Sequence, residues 1–321
     1  MPSCLAGRAR RYSRRALKPT FPGNPPPPRP DLGLGSATFG RECGEPDARH
    51  LLQEAAAHGI THLDTAPAYS LGRSEEIIGG WLASHPALRP RLTIATKLSP
   101  PYTRERMLAS AEASLRRLGV EAVDLLYLHS WDASATEPEA LTGLDDLVRM
   151  GRARAIGLSN ASIDQLEEIL RRQEALGVAR CQDLQNNHNY AVRGAGPRVR
   201  ARCRALGVGV TTYSPLGAGF LTGKHRDGVA PGSRFAVAPA HGGVYFHPPS
   251  WRRLAALEDA AKRHGIPSPL LALAWALSRP GTSRVLVGGR TADHVPQALA
   301  ARNLDAAAAL ADLERQEPEE D

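Results

Sequence analysis

The sequence predicts a (β/α)8 TIM barrel formed as a single domain. From Leu32 onward, short β-branched or leucine-rich runs alternate with amphipathic stretches eight times. Several of those stretches close on glycine (Gly59, Gly119, Gly151, Gly177, Gly207), where a helix C′ residue belongs. Polar residues also sit near the C-terminal ends of three successive runs, where a parallel barrel gathers its mouth.

In chain order, the run at 32–39 opens the barrel, and apolar positions at three- and four-residue spacing predict a helix over 47–58. ITHLDTA at 60–66 is the second strand, followed by a helix over 75–84. RLTIATKL at 91–98 precedes a helix over 104–118, and VDLLYLH at 123–129 precedes one over 138–150. Strands at 153–159 and 181–187 lead into helices at 163–176 and 196–206. After the strand at 208–214 comes a long connection, 216–250, rich in Gly, Pro and aromatics, the kind of segment that serves as a lid. A helix pair within 251–278, a strand at 284–288 and a helix at 292–301 complete the cycle. A doubly wound sheet competes, since Gly33, Gly35 and Gly40 superficially resemble a dinucleotide fingerprint. Their spacing does not match G-x-G-x-x-G, and the polar residues are spread over many strand ends, so the barrel is preferred.

This reading divides the chain into a basic, proline-rich extension (1–30), the barrel (31–305) and an acidic tail (306–321), expected to fray from Glu314 to Asp321. The net charge of +7 resides in the extension, which carries seven cations before Asp31 and no acid. The body is neutral, which argues against nucleic-acid binding. The extension reads as disordered or as an upstream start; its arginines also suit a mitochondrial transit peptide, while no apolar region follows to support twin-arginine export. No apolar run approaches the roughly 20 residues of a membrane span. The four cysteines show neither a CxxC pair nor metal spacing, so no metal site and no oxidising compartment are expected, and the cytoplasm is the expected location. Nothing in the sequence sets an oligomeric state.

The polar residues are Asp64, Lys97 and His129, with Tyr69 shortly after the second strand. Together they suit reduction of a carbonyl, which needs a hydride at carbon and a proton at oxygen. A tyrosine phenol, with a pKa of about 10, is a slow acid until a neighbouring ammonium favours the phenolate. An aspartate keeps that lysine charged, and a histidine can hydrogen-bond the substrate oxygen. Each has a plainer role open: Asp64 as a turn cap, Lys97 as a surface lysine, His129 as a core histidine. Their joint appearance on consecutive strand ends favours one shared site. Phe39, Trp131, Phe235, Tyr245 and Phe246 either wall an apolar pocket or pack the lid.

The stretches GITHLDTAPAYSLGRSEEIIGGWL, IATKL, VDLLYLHSWD, ARAIGLSNAS, LQNNHNY and TTYSPLGAGFLTGK resemble the aldo-keto reductase superfamily, from about Leu32 to Asn303. The resemblance implies a barrel reductase that binds NADPH extended and acts on a small-molecule carbonyl. It implies that Ser159, Asn160 and Gln185 hold the nicotinamide carboxamide and that Tyr213 stacks on the ring. It places the pyrophosphate clasp at Ser214, Leu216, Gly217, Gly219 and Lys224, and the adenosine phosphate at Gly288, Arg290, Thr291 and His294. Consistent with this, Ser-Pro-Leu-Gly-Ala-Gly lets backbone amides approach an anion, although an ordinary turn would read the same way. Arg290, at the expected start of the last helix, offers a planar fork for a 2′-phosphate. Three positions depart from the family pattern: Val287 for a frequent Pro, Ala298 for an Asn that contacts adenine, and His188 for a frequent Tyr. The expected function is NADPH-dependent reduction of aldehydes or ketones, or the reverse. The alternative is a catalytically slow, nucleotide-binding regulatory subunit; a metal-dependent barrel hydrolase lacks a His-x-His or carboxylate cluster.

Overall fold

Every strand of the sheet runs parallel, and each pairs with its neighbour in sequence until the last closes on the first. The computed structural model describes residues 29–319. Most of the expected extension, and Cys4 with it, lies outside the described residues. The closed barrel comprises β1 (Asp31–Gly35), β2 (His62–Asp64), β3 (Thr93–Leu98), β4 (Val123–Leu128), β5 (Ala153–Ser159), β6 (Cys181–Asn187), β7 (Gly209–Tyr213) and β8 (Arg284–Val287). Pairing of Asp31 with Arg284 closes the ring.

The helices are α1 (Glu45–Ala57), α2 (Arg73–Ser84), α3 (Arg104–Leu118), α4 (Pro138–Arg149), α5 (Ile163–Leu176) and α6 (Pro197–Ala205). The connection after β7 carries two short helices, α7 (Arg234–Val237) and α8 (Gly242–Tyr245). Then come α9 (Pro248–His264), α10 (Ser268–Leu277), α11 (His294–Asn303) and α12 (Ala307–Gln316). Gly119 and Gly177 end α3 and α5 in the left-handed region (φ 65° and 63°), where glycine pays no Cβ penalty. A capping box of Ser162 and Gln165 starts α5.

Period-two alternation divides the core. Ala95, Leu125, Tyr127 and Ala155 point into the barrel and form their own small cluster. Ile94, Leu98, Leu126, Leu128, Ile156 and Leu158 point outward into the apolar sleeve beneath the helices. The lumen also buries His62, Asp183, Thr211 and Arg284. Tyr127 donates to Asp183 at 2.8 Å.

As far as Glu319, the last described residue, the acidic end packs on the barrel. Residues 307–316 form α12, and Glu314 and Glu319 are drawn onto Arg279 and Arg200. The tail looks solvated in sequence because its partners lie far back in the chain.

Candidate active site

Asp64 is the last residue of β2, Lys97 the penultimate residue of β3, and His129 directly follows β4. Parallel register sets Asp64 beside Ala95 and Lys97 beside Tyr127, so Asp64 and Lys97 share the barrel interior. Lys97 Nζ donates to the Asp64 carboxylate and, at 2.9 Å, to the Thr65 carbonyl. Gln185 Nε2 holds the other Asp64 oxygen at 2.8 Å. Lys97 Nζ lies 4.9 Å from the centre of the Tyr69 ring, and that ring meets His129 edge-on at 5.7 Å.

Tyr69 arrives from a turn rather than a strand. Its amide donates to the Ala66 carbonyl at 3.0 Å, and Ser70 Oγ reaches the Phe39 carbonyl at 2.8 Å. Ser70 and Leu71 both adopt left-handed backbone (φ 52° and 55°), a conformation costing non-glycine residues about 1–2 kcal/mol each. Buried hydroxyls hold the turn: Ser74 Oγ contacts Thr65 Oγ1 at 2.9 Å and Ser36 Oγ at 2.7 Å. Fully buried Glu75 then accepts from Thr96 Oγ1 at 2.6 Å and Arg117 Nε at 2.7 Å, tying α2 to β3 and α3.

Burial favours the neutral phenol of Tyr69 and raises its pKa; Lys97 opposes this without overcoming it, and Asp64 adds to the rise. Lys97 thus acts in the direction the sequence reading gives it, but burial decides the net shift. Burial pulls the Lys97 ammonium down, but Asp64 and Tyr69 outweigh it and leave Lys97 above its ordinary range. Burial, then Lys97, pushes His129 down to about 4, so its ring is neutral at pH 7. The arrangement therefore pairs a protonated phenol with a fixed cation and a neutral imidazole.

The tetrad opens into a cleft of about 570 Å³ that runs from Tyr69 and His129 past Ser159, Asn160, Gln185 and Tyr213 to Lys224, Arg290 and His294. Asn160 is the joint of this wall: its Nδ2 donates to the His129 carbonyl at 2.8 Å and its Oδ1 accepts from Tyr213 Oη at 2.5 Å. Ser159 Oγ donates to the Gln185 carbonyl at 2.9 Å. Beyond Tyr213, left-handed backbone recurs at Ser214, Gly217, Ala218 and Gly219. A Cβ on Gly219 would stand 3.2 Å from Lys224 Nζ, so glycine leaves the ammonium close against the loop.

A model of the Aldo/keto reductase family matches residues 31–309. The chain belongs to the Aldo/keto reductase family. It is 30% identical over 301 residues to Protein tas of Escherichia coli (strain K12), covering 82% of this chain and 87% of that one. It is 31% identical over 283 residues to Probable aldo-keto reductase 1 of Glycine max, covering 79% and 76%. It is 30% identical over 273 residues to the Probable voltage-gated potassium channel subunit beta of Arabidopsis thaliana, covering 80% and 82%.

In this family member the cleft is also lined by Ser214, Leu216, Gly219 and Gly288, all anticipated, and by Ala298 and Val287, two departures from the family pattern. Other expected residues stand elsewhere. Lys97 lies behind Tyr69 and Asp64, Gly217 packs under Tyr245, and Thr291 turns its hydroxyl to His294 Nδ1 at 3.1 Å. Arg290 does line the cleft but precedes α11 instead of starting it, with Nη1 on the Gly232 carbonyl at 2.9 Å. Thr38 and Gln297 also line the cleft and were missed; Arg234, which the sequence offers only as a fallback for the phosphate site, lines it too. Arg234 sits on the connection and pairs with the buried Glu42 at 2.9 Å, a contact across 192 residues with no local signal. The aromatics resolve toward lid packing: Phe220, Phe235, Tyr245, Phe246 and Trp251 form one cluster, and Phe39 and Trp131 stay off the cleft.

Proposed function

We propose that this chain is an NADPH-dependent oxidoreductase that reduces an aldehyde or ketone, or oxidises the corresponding alcohol, with Tyr69 as general acid. The observation that carries the reading is a buried ammonium, Lys97, held by Asp64 directly behind a phenol that faces the cleft. The cleft's far half suits a dinucleotide phosphate. Lys224 stands against the glycine loop, and Arg234 and Arg290 add two guanidinium groups for phosphate oxygens.

When bound there, the nicotinamide supplies the hydride that reaches the carbonyl carbon. Tyr69 Oη donates its proton to the carbonyl oxygen as negative charge develops there. His129, neutral, donates a ring N–H to the same oxygen and fixes its approach. Lys97 stabilises the phenolate that remains, and Asp64 with Gln185 keeps Lys97 charged and in place. Tyr213, tethered through Asn160, gives the nicotinamide a flat wall. We place the protein in the cytoplasm; the support is that Cys43, Cys181 and Cys203 are buried and unpaired.

The test is a panel of aldehydes, ketones and sugars with NADPH and NADH, following cofactor oxidation and alcohol formed. Stoichiometric alcohol with NADPH preferred is the expected result. Tight NADPH binding without turnover on any member would replace this reading with that of a regulatory subunit.

A further inference from the structure

The described C-terminus ends in a built socket that the catalytic reading leaves unused. Glu319 is nearly enclosed, its side chain 5% exposed. Arg200 grips it with both arms of the guanidinium, Nη1 to Oε1 at 2.6 Å and Nη2 to Oε2 at 2.9 Å. Arg279 reaches Oε2 at 3.4 Å, and His188 Nε2 lies 3.2 Å from Oε1. Arg200 Nη1 also lies 3.2 Å from His188 Nε2, but its two hydrogens meet the closer Glu319 Oε1 at 2.6 Å and Ala195 carbonyl at 2.7 Å, and Nε goes to the Pro280 carbonyl at 2.8 Å.

His188 Nδ1 accepts from the Ala195 amide at 3.3 Å. The neutral ring therefore carries its proton on Nε2, and the acceptor available to it is Glu319. The carboxylate thus selects the tautomer and orientation of a residue that immediately follows β6. That residue belongs to the turn supporting the cofactor loop. His188 N donates to the Tyr213 carbonyl at 3.3 Å, and Asn189 Nδ2 to the Ser214 carbonyl at 2.9 Å. Asn187 Nδ2 holds Tyr245 Oη at 3.0 Å, and the Tyr245 ring lies directly beneath Gly217.

We infer that Glu319 is a positioning residue for the cofactor clasp: seated on Arg200, Arg279 and His188, it fixes the turn at 187–189 that holds Tyr213, Ser214 and Tyr245. The inference rests on the proposed cofactor use for its binding consequence, while its structural consequence stands apart from it. An Arg–carboxylate fork in a dry site is both strong and geometrically specific, which suits it to setting a turn to within a fraction of an ångström.

Glu319→Gln keeps the volume but cannot accept both arms of Arg200. Hydrogen–deuterium exchange on the full chain without cofactor should accelerate in peptides covering 187–189 and 213–219, on the order of tenfold, about the worth of one lost hydrogen bond. Peptides covering 62–64 and 93–98 should exchange as in wild type. A fluorescence titration should show the NADPH Kd rising by a similar factor, with the cofactor KM moving more than kcat. Arg200→Lys keeps the charge but not the fork and should move both measurements in the same direction, which covers the case in which Glu319→Gln fails to fold. Unchanged exchange at 187–189 and 213–219, or a uniform rise over the whole barrel, would overturn the inference. Failure of the wild type to bind NADPH would overturn the proposed function, with the exchange pattern still deciding the role of Glu319.

Discussion

Replacing Tyr69 with Phe removes one oxygen from the centre of the site and little else. The ring keeps its edge contact with His129 at 5.7 Å, and Lys97 keeps Asp64 and the Thr65 carbonyl at 2.9 Å. The buried cation therefore stays paired, and stability should fall by only about 1 kcal/mol, the net worth of one hydrogen bond. The chemical loss is larger. A positioned general acid contributes roughly 10²–10⁴ in rate, or about 3–5 kcal/mol of barrier. His129 cannot take over at neutral pH, because with a pKa near 4 it carries no spare proton there. Residual reduction by Tyr69→Phe should therefore climb only as pH falls toward that value. The assay is kcat/KM for an aldehyde found in the substrate panel, measured from pH 8 to about pH 4.5 with NADPH titrated in parallel. A variant within tenfold of wild type at pH 7, with NADPH bound normally, would refute the assignment of Tyr69 as the acid.

Lys97→Met removes the one group that lowers the Tyr69 pKa while burial and Asp64 still raise it, so the alkaline limb of alcohol oxidation should move to higher pH. An unmoved profile would show that Lys97 is not coupled to the phenol; a fall in stability of about 3–5 kcal/mol, read by denaturant melts, should accompany the change because Asp64 loses its buried partner. Arg290→Ala should weaken NADPH about tenfold to a hundredfold, the loss of a charge-assisted contact, and leave NADH nearly untouched, as read by titration of both. Asp183 is pushed up to about 6, chiefly by burial, against about 3.9 unfolded. The folded state therefore prefers the acid form: the stability this gives is fully present below about pH 4 and lost as pH rises through about 6. Asp183→Asn, which can still accept from Tyr127, should gain on wild type by about 3 kcal/mol across that window in urea melts, and a constant difference would contradict it.

How much of this was legible in the sequence depends on how far apart the partners lie. Strands 153–159 and 181–187 and helices 104–118 and 163–176 have the boundaries expected from periodicity and glycine stops. These are local signals. At β2 the apolar pattern spans 60–66, yet only His62–Asp64 pairs, because the chain leaves the sheet at Thr65 to build the turn that carries Tyr69. The left-handed Ser70 and Leu71 gave no sequence warning, since neither is a residue that favours that region. The packing of the acidic end through Glu319 was not legible for a related reason: charged residues near a terminus look solvated until the basic residues that bury them are known.

The same distance argument separates the two halves of the site. The tetrad joins consecutive strands, so the register that builds the barrel also brings Asp64, Lys97 and His129 together, and their order in the sequence is enough to suggest a shared mouth. The cofactor clasp has no such guarantee. Arg234 meets Glu42 across 192 residues and Arg200 meets Glu319 across 119, each contact joining a loop or tail to another part of the molecule. Such contacts leave no periodic trace, and their partners can change without disturbing the strands. Chemistry on the strand ends is therefore tied to the fold itself, whereas the proposed cofactor clasp depends on contacts between segments distant in the chain, those of His188 and Glu319 among them.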